Sequence, residues 1–259
     1  MTPLDFPPEL RAFLGASFWH FAIVFLRVGA MTSVLPAFGE QYVPMRVKLA
    51  IAVAFTFIVA PALARFPEPE TPLHFANLVV SETIIGLGMG IAVRLFVMGL
   101  QIAGTIAAQS TSLSQVLGNI GAEALPAIGG VLLVSGLALA VMMGLHVRVA
   151  EFLIYSYQIF PAGAYPDPAG FSEWGIHRIA KAFYMGFTLS APFLITAVIY
   201  NLTLGVINRA MPQLMVVFIG APVITFGGLF ILMVASPMIL DVWIREMMTF
   251  FSDPGGGLP

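Results

Sequence analysis

Residues 75–108 read FANLVVSETIIGLGMGIAVRLFVMGLQIAGTIAA, an apolar run interrupted by two charges, Glu82 and Arg94. A helix needs about 20 mostly apolar residues to cross about 30 Å of hydrocarbon, because each residue rises about 1.5 Å. This run is longer than that, so it predicts a membrane helix that tilts, breaks or rises out of the bilayer. Gly86, Gly88, Gly90, Gly99 and Gly104 supply weak points and small faces for close helix packing. Gly86 and Gly90 form a GxxxG pair, which in so glycine-rich a chain names no particular partner.

Five further stretches approach or exceed one membrane thickness: residues 13–35, 47–64, 125–145, 182–206 and 214–244. Their separators are rich in helix breakers. They cover residues 36–44, the acidic 66–72, the polar 109–123, and the proline-bearing 161–168 and 208–212. Proline removes a backbone donor and restricts the residue before it, so each separator is expected to end a helix. The reading is an all-α polytopic membrane protein with about six long apolar helices. Composition agrees: of 259 residues 59% are hydrophobic and 9% charged, against about 25% charged in a soluble domain.

A net charge of -2 with no basic stripe argues against nucleic acid as a partner. Having no cysteine, the chain lacks disulfides, thiolate nucleophiles and Cys-ligated metals. Residues 1–9 carry acids and prolines but no basic run ahead of the first apolar stretch, so that stretch is expected to stay in the mature protein. If all six runs are simple spans, Arg11, Arg65, Arg148, Arg178, Lys181 and Arg245 fall on one side and Arg46, Lys48 and Arg209 on the other. The positive-inside rule then places both termini in the cytoplasm.

Arg27, Glu82 and Arg94 lie inside apolar runs, where a lone charge costs at least about 2.5 to 3.5 kcal/mol and must find a partner or water. Twelve residues separate Glu82 from Arg94, which turns them about 120° apart on one helix. The three are candidates for interhelical pairing, Arg27 with Glu82 as one such pair; the bland alternative is that each snorkels to an interface or pairs within the fold without a transport role. The most polar interior stretch, residues 109–123, has almost no charge, Glu123 being its one acid: Gln109, Ser110, Ser112, Ser114, Gln115, Gly118, Asn119 and Gly121 lie in it. It cannot face lipid, since unpaired backbone groups in hydrocarbon cost several kcal/mol each. One reading is a solvated connector. The other is a movable constriction, almost uncharged so that it does not hold a passing polypeptide. His20, His74, His146 and His177 have no ligand spacing, and no nucleotide-binding or serine-hydrolase motif occurs, so no metal, cofactor or catalysis is expected.

The last third is the most specific. Asn201-Leu202-Thr203-Leu204-Gly205-Val206-Ile207-Asn208-Arg209-Ala210-Met211-Pro212-Gln213-Leu214, continued by Val217-Phe218-Ile219-Gly220-Ala221-Pro222, closely resembles the FliR/SctT family of type III secretion export-gate subunits. Arg27-Val28-Gly29, Pro36, Val43-Pro44-Met45-Arg46, Glu82 with Gly86, Ala103-Gly104, and the stretch from Gly144-Leu145-His146 to Phe160-Pro161 extend the likeness along nearly the whole chain. The resemblance implies one gate domain over residues 1–259, its helices folded as bent hairpins that stand partly above the membrane. It implies a bacterial inner-membrane location in the flagellar basal body. Its implied partners are FliP and FliQ, then FlhB and FlhA, rod and hook-junction components, and unfolded export substrates. Residues 109–124 would be a plug closing the lumen, and Asn208, Arg209, Pro212 and Gln213 would serve assembly beside Arg27, Glu82 and Arg94. Virulence injectisomes share the Pro-Gln portion and offer the equivalent role. The tail 252–259 has no recognisable docking motif for FlhB and is expected to be flexible. A small-solute transporter is the rival class, but it would show two related halves, and no internal repeat is visible.

Overall fold

The computed structural model of the chain describes residues 8–40, 42–111, 127–211 and 216–254. Among the described residues every regular element is helical: α1 (Pro8–Val34), α2 (Met45–Val59) with a short 3-10 turn at Ala60–Ala62, α3 (Pro72–Thr111), α4 (Ala127–Met142), α5 (Leu145–Ile159), α6 (Pro168–Ala210) and α7 (Val216–Ser252). Five helices are long and apolar enough to cross a membrane, or six if the broken pair α4 and α5 counts as one span. The protein is thus an all-α polytopic membrane protein.

Several boundaries differ from the sequence expectation, each for a local reason. The fourth apolar run was expected to reach Leu145, but Gly144 takes a left-handed φ of 83° and breaks the helix. Glycine suits that conformation because it has no Cβ to clash. α5 then continues as an amphipathic helix that buries Leu145, Val149, Phe152, Leu153, Ser156 and Tyr157. Its exposed side carries His146, Arg148 and Glu151. A length test for uniform hydrophobicity passes over such a helix. The fifth run was expected from residue 182, yet α6 begins at Pro168. Pro168 sits at the first helical position, and Asp167 Oδ2 accepts from Gly170 N at 2.7 Å as an N-cap. Pro192 does not end α6. Thr196 Oγ1 donates to the Pro192 carbonyl at 2.9 Å, a side-chain bond back to its own helix.

These boundaries also bear on the charges counted for the expected orientation. Arg178 and Lys181 lie within α6 and Arg245 within α7, so they are not loop charges. Lys181 Nζ instead pairs with Glu246 Oε2 at 2.7 Å, and Arg178 lies over the Phe250 ring, 4.9 Å from its centroid.

The chain divides into two compact units, one of Met1–Arg94, Gly144–His177 and Phe251–Pro259, the other of Leu95–Met143 and Arg178–Phe250. In the first, Ile23, Val28, Met31, Ile85, Leu153 and Trp174 are buried. Here α1 and α3 approach closely at the GxxxG pair, because a Cβ on Gly86 would run into the Arg27 carbonyl oxygen, and one on Gly90 would lie 2.7 Å from the Met31 carbonyl oxygen. Ser252 closes α7, and the Pro254 carbonyl accepts from Trp174 Nε1 at 3.3 Å; residues 255–259 lie outside the described residues. In the second unit Leu100, Leu132, Phe193 and Met247 are buried, as is Trp243, whose Nε1 donates to the Phe96 carbonyl at 2.8 Å.

Candidate functional site

Arg27 belongs to the middle of α1 and Glu82 to the first half of α3. Close packing at Gly86 brings these helices near enough for their side chains to meet. Arg27 Nε donates to Glu82 Oε2 at 2.7 Å and Nη2 to Oε1 at 3.1 Å, a two-pronged pair with both side chains 0% exposed. The guanidinium also donates through Nη1 to Ser156 Oγ at 3.0 Å and through Nη2 to the Phe160 carbonyl at 2.9 Å. Glu82 Oε1 accepts from Gly163 N at 3.0 Å. The Tyr157 ring lies beneath the guanidinium, 3.7 Å from Cζ, within reach of a cation–π interaction.

Desolvating two charges is costly, and the geometry here offsets it in the way such pairs require, with matched forks and extra hydrogen bonds on the remaining atoms. One buried pair thereby ties α1, α3, α5 and the turn at residues 160–163 together. The cavity beside it, lined by Met89, Phe152, Ser156, Phe160 and Trp174 among others, holds about 10 Å³, barely room for one water. Chemically the arrangement is a staple.

A second cluster sits on α1. The buried His20 donates from Nε2 to the Ala60 carbonyl at 2.8 Å and accepts at Nδ1 from Phe66 N at 3.2 Å, which requires the neutral Nε2–H tautomer. The Phe66 ring stands 5.3 Å from the His20 ring and 5.6 Å from that of Tyr157, so the connector after α2 is fastened to α5 beside the ion pair.

The other residues singled out from sequence are not gathered here. Arg94 is half-buried and reaches the Val34 carbonyl at 3.4 Å, at the C-terminal end of α1, where a cation is favoured by the helix dipole. Gln109 is exposed and Ser110 buried in the last turns of α3, with Ser110 Oγ donating to the Ala107 carbonyl at 2.7 Å. Asn208 and Arg209 are exposed at the end of α6. Ser112, Ser114, Gln115, Gly118, Asn119, Gly121, Pro212 and Gln213 lie outside the described residues. Sequence reading missed Ser156, Tyr157, Phe160, Gly163 and His20. Ser156 and Tyr157 could have been found from the 3.6-residue pattern of α5, whereas a backbone acceptor such as the Phe160 carbonyl leaves no mark on the side-chain sequence.

Comparison with known proteins bears on the whole chain. The model of the family "Bacterial export proteins, family 1" matches residues 18–250. The flagellar biosynthetic protein FliR of Caulobacter vibrioides is 31% identical over 238 residues, covering 89% of this chain and 95% of that protein. The proteins of the same name from Escherichia coli and Bacillus subtilis are 27% and 26% identical, each alignment covering 88% of this chain and 87% and 90% of the relative.

Proposed function

The chain belongs to the bacterial export proteins, family 1, and on that premise we propose that it is a structural and gating subunit of the flagellar type III protein-export channel in the bacterial inner membrane. Its part is passive: it binds partner helices and touches unfolded substrate in transit, without catalysis. The flagellar assignment follows the names of relatives that align along nearly their whole length.

The observation that carries the reading is the mismatch between apolar surface and bilayer. The 43 residues of α6 have a contour of about 65 Å at about 1.5 Å each, against about 30 Å of hydrocarbon. Exposed apolar side chains recur along most of it, from Ile176 through Phe187 and Val198 to Ile207. Apolar surface that extends beyond the lipid needs protein to cover it, which favours sister subunits, FliP and FliQ, with FlhB and FlhA beside them. Residues 109–124, whose one charge is Glu123, are assigned as the plug of the shared lumen, and Asn208, Arg209, Pro212 and Gln213 to assembly.

Deleting residues 109–124 tests this. The complex with FliP and FliQ should still assemble, and the membrane should become leaky to ions and small solutes. A membrane as tight as wild type around an assembled complex would remove the plug.

A further inference from the structure

The second half of α3 is polar on the wrong side for a lipid-facing helix. Leu100, Ala103, Gly104, Ala107 and Ala108 are buried, while Met98 and Gln109 are exposed and Gln101 and Thr105 half-buried. Successive steps of four residues turn about 40° each, so 101, 105 and 109 share one face about 80° wide. A surface groove of about 240 Å³ follows that face, lined by Met98, Gln101, Ile102, Thr105 and Ile106. Thr105 Oγ1 is satisfied by the Gln101 backbone carbonyl at 2.9 Å. The carboxamides of Gln101 and Gln109 meet no hydrogen-bonding partner among the described residues.

Unpaired amides are costly in hydrocarbon. The contrast with the rest of the same unit is direct, because α6 and α7 expose Phe187, Ile195, Leu202, Phe226 and Met233. The Thr196 and Thr203 hydroxyls of α6 bond back to their own helix, as Thr105 does, so the contrast lies in the two unpaired glutamine amides. Bulk water is a poor fit too: residues 95–111 contain no Asp, Glu, Lys or Arg, whereas a freely solvated helix face normally carries charge. An uncharged face on which two glutamine amides and a threonine are set among Met98, Ile102 and Ile106 suits a confined path that must wet a moving chain without binding it by charge.

We propose that Gln101, Thr105 and Gln109 form a water-lined wall of the export path, facing extended polypeptide in transit. This rests on the channel reading above and assigns to it side chains that lie on ordered helix.

The absence of cysteine makes the test clean. Single variants Gln101→Cys, Thr105→Cys and Gln109→Cys are made, with Ala103→Cys and Ala107→Cys as buried controls and Leu202→Cys as an apolar control. The assembled complex in native membranes is treated with a membrane-impermeant maleimide, with and without an export substrate stalled by a fused folded domain. Labelling is expected at 101, 105 and 109 but not at the controls, and the stalled substrate should lower it several-fold. No labelling at 101 and 105 would overturn the proposal in favour of a covering helix. Labelling that a stalled substrate leaves unchanged would overturn it in favour of an ordinary solvated face. Thr105→Cys nearly preserves side-chain size, so it carries the test if a glutamine variant does not assemble. The channel reading fails separately: a leaky 109–124 deletion with 101 and 105 unlabelled would sink this wall while leaving the channel standing.

Discussion

Burying Arg27 is tolerable because four hydrogen bonds meet its guanidinium and an aromatic ring lies beneath it. Glu82→Gln should therefore destabilise the chain by about 3–5 kcal/mol, the usual effect of stranding one member of a buried pair, measured by thermal unfolding in detergent. Charge reversal of both residues, the natural test from sequence, is expected to give no rescue. A glutamate at 27 would face the Phe160 carbonyl, and an arginine at 82 would face the Gly163 N–H. The apolar double variant Arg27→Met with Glu82→Leu should be more stable than Glu82→Gln alone, and the opposite ranking would contradict this account of the site. His20→Leu removes two partners, the Ala60 carbonyl and Phe66 N, at about 1–3 kcal/mol for each group left buried and unpaired. Hydrogen exchange at the Phe66 amide should accelerate in that variant.

Among the elements, α3 was legible in outline because its apolar run is long and nearly continuous. α5 and the first three turns of α6 were not, because their apolar residues form a stripe rather than a run. The sequence offered Gly86 and Gly90 as a small face for close packing but named no partner for it, and nothing in it tells Gly86 from a glycine such as Gly130. In the fold, a Cβ on Gly86 would strike the backbone of α1, while one on Gly130 would meet nothing within 4 Å. Gly86→Ala should cost about 1–3 kcal/mol by overpacking. Gly130→Ala should be neutral, or stabilising by up to about 1 kcal/mol through helix propensity. Melting both variants side by side separates the two effects, and equal outcomes would show that α1 and α3 do not pack closely.

For the molecule as a whole, the apolar surface of α6 and α7 makes a prediction about company. Only 17% of the best membrane-spanning part of α7 is buried within the chain. Coexpression with the proposed sister subunits should raise the yield of folded protein. Hydrogen exchange should slow along residues 183–210 of α6 in the complex relative to the chain alone in the same detergent. Unchanged exchange there would mean that lipid or detergent, not protein, covers this face.

What the sequence determined by itself was solvent, helix class and family. Hydrophobic run length, breakers and an extended motif are sums over neighbouring residues, and the chain carries them whether or not it is folded. Which charges would meet was decided only by the tertiary structure. Arg27 and Glu82 are 55 positions apart, and the groups that make their burial affordable include a backbone carbonyl 133 positions from Arg27 and a backbone amide 81 positions from Glu82. Such contacts depend on how far helices can approach, and that is set at Gly86 by a side chain that is not there.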